Sequence, residues 1–369
     1  MDFTFSPDTV MLRDMLRRFV QKEARPLEMK YFNTGGLTQE EQARLRQAIQ
    51  QLGLWGLTVP EEFGGGGLDV ITSCVVEEEL GGTFVPVELG EVPAMLYACN
   101  QEQAARFLEP ALEAGRQAII AAREPGPQAV HPEGWTTTAE PEGDQYILTG
   151  QKTLAAPPTG QDFFVVYARA PQGMTVFLIE ADHPGTSIST NGRVTLILDK
   201  CRLPSSAILG EAGGALLLGA ENAPHAWIQS GARYVGIANR LLEMASEHAR
   251  DWVSLGAPLS ARPAIQRMIA DLRVDIESTR WLVYHAAWLA DNGKKVEARQ
   301  AAAQVRLASG EMLKRSIDRV TMIFAGPGPT PEIEPHLMVK NVVPFDALEM
   351  AMDSARAAIA IELIGHAES

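Results

Sequence analysis

The period of the hydrophobic residues changes twice along this chain of 369 residues, and that double change most restricts the folds open to it. Up to about residue 117 apolar residues recur at spacings of three and four, which marks one face of a helix. Near Ala118 they give way to short β-branched runs between turn residues, and after Gly214 the helical spacing returns. In the first stretch, Ser6-Pro7 offers an N-cap followed by proline at the first helical position. Met11/Leu12, Met15/Leu16 and Phe19/Val20 then continue in steps of four, and Pro26 is expected to stop the helix. A second helix opens with the capping box Thr38-x-x-Glu41, buries Leu45, Ile49 and Leu52, and ends at Gly53. Further helices are expected over residues 70–80 and 101–112.

The middle stretch predicts strands at 135–139, 146–148, 163–167, 175–179 and 194–198. Glu142-Gly143-Asp144, Pro171-Gln172-Gly173 and Asn191-Gly192 supply the turns between them. Long helices follow at 226–252, 264–292, 296–324 and 349–365. The expectation is an α+β protein: an N-terminal helical domain (1–117), a central antiparallel β domain (118–214) and a C-terminal antiparallel four-helix bundle (215–369).

Charge narrows the functional classes. With 32 basic and 46 acidic residues the chain carries −14 at pH 7, which disfavours nucleic acid and anionic lipid as partners. Cys74, Cys99 and Cys201 form no paired spacing, and the seven histidines form no metal-ligand motif, so neither a disulfide framework nor a metal centre is expected. No secretory leader and no membrane anchor is read from the sequence, and the expected location is the cytoplasm.

The glycine run Gly64 to Gly67 lacks the lysine and the preceding strand of a phosphate loop and is read as a flexible connection. Glu77-Glu78-Glu79 is read as a solvated helix face rather than a metal site. His225 and His285 are read as packed or surface histidines, and the thiols as small buried apolar groups.

Four strings, in order and at matching intervals, resemble the acyl-CoA dehydrogenase family over essentially the whole chain. They are Gly53-Leu54-Trp55-Gly56-Leu57-Thr58-Val59-Pro60-Glu61-Glu62-Phe63-Gly64-Gly65; Gly143-Asp144-Gln145-Tyr146-Ile147-Leu148-Thr149-Gly150-Gln151-Lys152; Leu203-Pro204 through Ile208-Leu209-Gly210-Glu211; and Gly256-x-Pro258-Leu259 with Ile265-Gln266 and Ala270-Asp271-Leu272. The resemblance implies an oxidoreductase with FAD between the β domain and the bundle, a neighbouring subunit adding contacts, and an acyl-CoA substrate. It also implies a glutamate that takes the α-proton while the β-hydrogen leaves as hydride to the flavin, with donors stabilising the enolate oxygen.

At the positions that serve this chemistry the chain departs from the family pattern. Arg123 replaces a small hydroxyl, and Leu154 and Ala156 replace an aromatic ring and a hydroxyl beside the flavin. Trp252 and Leu255 stand where the family has the Arg and Phe of Arg-x-x-Phe-Gly, and Thr321 stands where it has a glutamine. Arg262, in place of an aromatic, is the one new cation expected to face a phosphate. The usual base falls near Asp346 to Met350, with Glu349 one residue out of register, which on a helix turns the carboxylate by roughly 100°. The alternative base position aligns with Ala226-Trp227-Ile228.

His336-Leu337-Met338-Val339-Lys340 looks like a subgroup in which two different chains form one dehydrogenase. By that resemblance this is the degenerate chain of a heteromeric FAD enzyme that oxidises an acyl-CoA to its 2,3-enoyl-CoA. Two alternatives stand beside it. One is an active homomer with Glu349 or another carboxylate as displaced base, and the other a scaffold or acyl-CoA binder without activity. The partner is expected to be a homologous chain in a homo- or heterotetramer, and FAD to lie only at that interface or to be absent.

Overall fold

The structure is a computed structural model and describes residues 4–126, 134–154, 158, 162–191, 193–324, 339, 343 and 345–364. It has two compact units: residues up to Leu89 cluster with those from Pro224 onward, and Gly90–Ala223 forms the second. Residues 90–117 thus group with the sheet, although their helical pattern continues that of the N-terminal stretch.

The helical unit begins with α1 (Pro7–Phe19), whose first turn is closed by Thr9 N–H donating to Ser6 Oγ at 3.1 Å. Pro26 does not end the helical path. A π turn over Val20–Ala24 and a 3₁₀ turn over Arg25–Leu27 carry it into α2 (Glu28–Thr34), which stops at Gly35 with φ 73°. A proline harms an α-helix by lacking an N–H and crowding the carbonyl four residues back. The widened turn before Pro26 takes up that crowding, and Arg25 Nε fastens the bend to the Gly82 carbonyl at 2.8 Å. The expected capping box opens α3 (Gln39–Gln51), and α4 (Val70–Leu80) starts at Asp69.

The bundle helices are α7 (Ala215–Asp251), of which the part from Pro224 onward belongs to this unit, α8 (Pro263–Asp291), α9 (Lys295–Phe324) and α10 (Phe345–Ile364). Val235, Leu241, Ile276, Val283, Val305 and Leu313 are central to their core. Helices α4 and α7 meet backbone to backbone, because a methyl built on Gly236 would overlap the Glu78 carbonyl and one on Gly81 the Arg233 carbonyl. Between α7 and α8 a two-stranded hairpin, Val253–Ser254 with Ala257–Pro258, turns at Leu255-Gly256, where both residues have positive φ (51° and 78°).

The second unit holds short helices α5 (Gln101–Gln103) and α6 (Glu109–Ala114), joined by a π turn, and the sheet strands β1 (Ala118–Ala121), β2 (Thr138–Glu142), β3 (Gln145–Thr153), β4 (Phe163–Ala170), β5 (Gly173–Glu180), β6 (Thr186–Ser189), β7 (Thr195–Pro204) and β8 (Ile208–Leu209). They run in the order β6-β7-β3-β2-β4-β5-β8, with β1 also on β4.

The sheet is mostly antiparallel, with two exceptions to the expected pattern. β1 pairs parallel to β4 from Ala118↔Phe163 to Ala121↔Val166, and β2 touches β4 in parallel at Thr138↔Arg169. β4 is therefore a central strand buried on both faces, which explains its unbroken apolar run. The expected strand at 194–198 continues to Pro204 past a bulge, with Lys200 at φ 49° and a register shift opposite Leu148/Gly150. No described helix is long and apolar enough to cross a membrane.

Candidate functional site

In the sheet unit the most heavily bonded polar group is Glu124, just beyond β1. Its carboxylate accepts from Thr136 N–H (2.6 Å), Thr136 Oγ1 (2.9 Å), Thr137 N–H (2.8 Å) and Lys152 Nζ (2.9 Å). Lys152, on β3, is fully buried; it also donates to the Ala122 carbonyl at 3.0 Å and lies 4.9 Å from the centre of the Trp135 ring. Burial alone would raise the Glu124 carboxyl, but the bonds from Thr136, Thr137 and Lys152 outweigh it and hold it at about 2. Burial also draws the Lys152 ammonium below the usual lysine value in spite of Glu124.

This pair ties together the chain after β1, the approach to β2 and the end of β3. Two of the aligned positions sit on those segments: Arg123, half-buried, whose carbonyl accepts from Thr153 N–H, and Leu154, buried in the sheet core with its N–H on the Val194 carbonyl. Ala156 lies outside the described residues. The pair was not visible from sequence, because 28 residues separate its members and no local pattern says which carboxylate faces which lysine.

In the helical unit, Trp252 is exposed and stacks on His248 at 5.7 Å, and His248 meets Phe324 at 4.3 Å. Leu255 is 93% exposed at the hairpin tip. Arg262 is turned inward, with Nη2 on the Ser254 carbonyl at 2.8 Å. Among the described residues, the Thr321 hydroxyl and His248 Nε2 are buried without hydrogen-bond partners. Glu349, in the second turn of α10, is half-exposed and held by Lys314 Nζ of α9 at 2.6 Å.

Two expectations are corrected. The three glutamates of α4 do not form a solvated face, since each is claimed by a different helix. Glu77 is buried against Arg233 of α7 (2.5 Å), Glu78 takes Arg280 and Tyr284 of α8, and Glu79 takes Arg17 of α1. The glycine run is not loose either. Gly65, Gly66 and Gly67 donate to the carbonyls of Pro60, Gly56 and Val59, and a methyl on Gly65 would overlap Val59. His225 and His285 are exposed. Cys74 and Cys201 are buried, and burial pushes the Cys99 and Cys201 thiols up to about 11, where they are poor nucleophiles.

A mostly antiparallel sheet inserted between helices that pack together defines the class of protein. The model of the acyl-CoA dehydrogenase N-terminal domain matches residues 6–114, and that of the C-terminal domain residues 221–343. The chain belongs to the acyl-CoA dehydrogenase family. It is 28% identical to (R)-benzylsuccinyl-CoA dehydrogenase of Thauera aromatica over 99% of this chain and 97% of that protein. It is 29% identical to the human mitochondrial short-chain specific acyl-CoA dehydrogenase, covering 86% and 81%. The solved structure of butyryl-CoA dehydrogenase from Megasphaera elsdenii shares the fold, with a TM-score of 0.84, 23% identity and coverage of 99% and 100%.

Family membership implies FAD, but the side chains at the aligned positions do not fit a flavin held by this chain's own donors. Leu154 and Leu255 have apolar side chains, Trp252 offers a single indole N–H, and Arg262 Nη2 is already on a backbone carbonyl. At these positions the side-chain donors without a partner among the described residues are the Arg123 guanidinium, the Trp252 indole N–H and the Thr321 hydroxyl. One cation, one hydroxyl and one indole N–H are few for a diphosphate, whose binding elsewhere relies on several convergent N–H groups.

Proposed function

We propose that this chain is the degenerate subunit of a heteromeric acyl-CoA dehydrogenase, completing the active site of a homologous partner that carries the base and most of the flavin contacts. The enzyme so assembled would oxidise an acyl-CoA to its 2,3-enoyl-CoA. The observation that carries the reading is Glu349, the carboxylate closest to the family's base position. A base for an α-proton needs a dry site that raises its pKa. Glu349 is instead half-exposed, with its carboxylate engaged by Lys314 Nζ at 2.6 Å, and so does not stand in a dry site. The donor-poor flavin positions support the same division of labour. So does the exposed Leu255 at a left-handed turn, an apolar tip that its own chain leaves uncovered.

The test is expression alone and together with a homologous chain encoded beside it. The expected result is a colourless protein alone and a yellow complex with dehydrogenase activity that Glu349→Gln leaves intact. Flavin absorbance in the isolated chain, or loss of the complex's activity in Glu349→Gln, would sink the proposal.

A further inference from the structure

Within the helical unit, α1, α4, α7 and α8 enclose a cleft of about 560 Å³ that the proposed dehydrogenase role does not use. Six arginines line it, Arg17, Arg25, Arg240, Arg250, Arg273 and Arg280, in a chain whose net charge is −14. No aromatic ring is in the lining and only Val20 and Leu242 are aliphatic, so the space suits neither an acyl tail nor a nucleobase.

The carboxylates around it are already taken. Glu79 is held by Arg17, Glu78 by Arg280, Glu243 by Arg25 at 2.9 Å, and Glu28, beneath the cleft, by Arg240 at 2.8 Å; Arg273 and Arg280 share Glu277. Only Glu247 at the rim has no such partner among the described residues. Three donor groups, by contrast, lack acceptors. Arg240 Nε is buried with no hydrogen-bond partner, and among the described residues neither the Arg250 guanidinium nor the Ser246 hydroxyl has one. Ser246 and Arg250 are four residues apart on α7, one above the other on the same face. Arg240 is about 15 Å along the helix from Arg250 at 1.5 Å per residue.

We propose that this cleft binds a small multivalent oxyanion of the phosphate or polycarboxylate class, held by Arg250 and Ser246. Planar guanidinium groups match such oxyanions with paired hydrogen bonds.

The test titrates the full chain with inorganic phosphate and, separately, with citrate, each against sodium chloride at equal ionic strength, following heat of binding and thermal midpoint. Saturable binding of phosphate or citrate is expected. It should weaken about tenfold in Arg250→Gln, the loss of one charge-assisted contact, and stay unchanged in Arg299→Gln, which removes the same charge from an equally exposed site on α9 outside the cleft lining. The arm that saturates identifies phosphate or carboxylate as the preferred group. No saturation with either anion, an equal effect of chloride, or equal weakening by both substitutions would overturn the proposal.

Discussion

Replacing Glu124 by glutamine should destabilise the sheet unit by about 3–5 kcal/mol, the usual cost of leaving one partner of a buried ion pair alone. The amide would turn a donor toward the Lys152 ammonium and could serve only part of the Thr136 and Thr137 donors. Lys152 would then keep just the Ala122 carbonyl and the Trp135 ring. Lys152→Met should cost less, about 1–3 kcal/mol, because Glu124 keeps three donors from Thr136 and Thr137. In calorimetry the first variant should lower the transition of the sheet unit by roughly 10 °C or more. A double-mutant cycle should give a coupling energy above about 1 kcal/mol.

The acid limb adds a second reading. The Glu124 carboxyl sits at about 2 in the folded chain against 4.5 as an ordinary glutamate, so the folded state holds its proton more weakly than the unfolded state. Its contribution is present in full above pH 4.5 and drains away as pH falls toward 2; Glu124→Gln should remove that part of the acid dependence. The reasoning fails if Lys152→Met proves as costly as Glu124→Gln, or if the coupling is near zero.

Gly236→Ala should force α4 and α7 apart and lower stability by about 3 kcal/mol or more, whereas Gly35→Ala, where a methyl meets only open space, should cost about 1 kcal/mol from its positive φ alone; thermal midpoints distinguish them. Leu255→Gly should leave the isolated chain as stable or up to about 1 kcal/mol more stable by relieving a left-handed leucine, yet weaken assembly with the partner, measured by sedimentation. Asp291→Asn should cost about 1 kcal/mol, because its carboxylate accepts the Val70 and Ile71 N–H groups at the start of α4 (2.7 and 3.0 Å); hydrogen exchange at those amides should rise.

The helices were legible where their signals are local. Ser6, Thr38 and Asp69 each bond a backbone N–H three residues on, and those contacts are written in adjacent letters. The glutamates of α4 were misread because their partners lie 62 to 202 residues away, and sequence carries no trace of which arginine faces which carboxylate. Strands β1, β6 and β8 escaped because two to four residues are too few to establish an alternation. Parallel pairing of β1 with β4 depends on where a long connection returns, which no local pattern encodes. At the candidate site, the inward turn of Arg262 and the capture of Glu349 by Lys314 became visible only in three dimensions.

Because the helical unit is assembled from both ends of the chain, its amino-terminal part leaves the ribosome long before its packing partners exist. Gly90–Ala223 must be synthesised in between, a delay on the order of ten seconds at ~5–20 residues per second. During that interval Leu16, Val76 and Leu80 can bury themselves only among the early helices, while Cys74 and Phe84 await α7. The sheet unit, contiguous in sequence, faces no such wait. Nascent chains of this protein should therefore acquire a protease-resistant centre first and recruit their leading segment last.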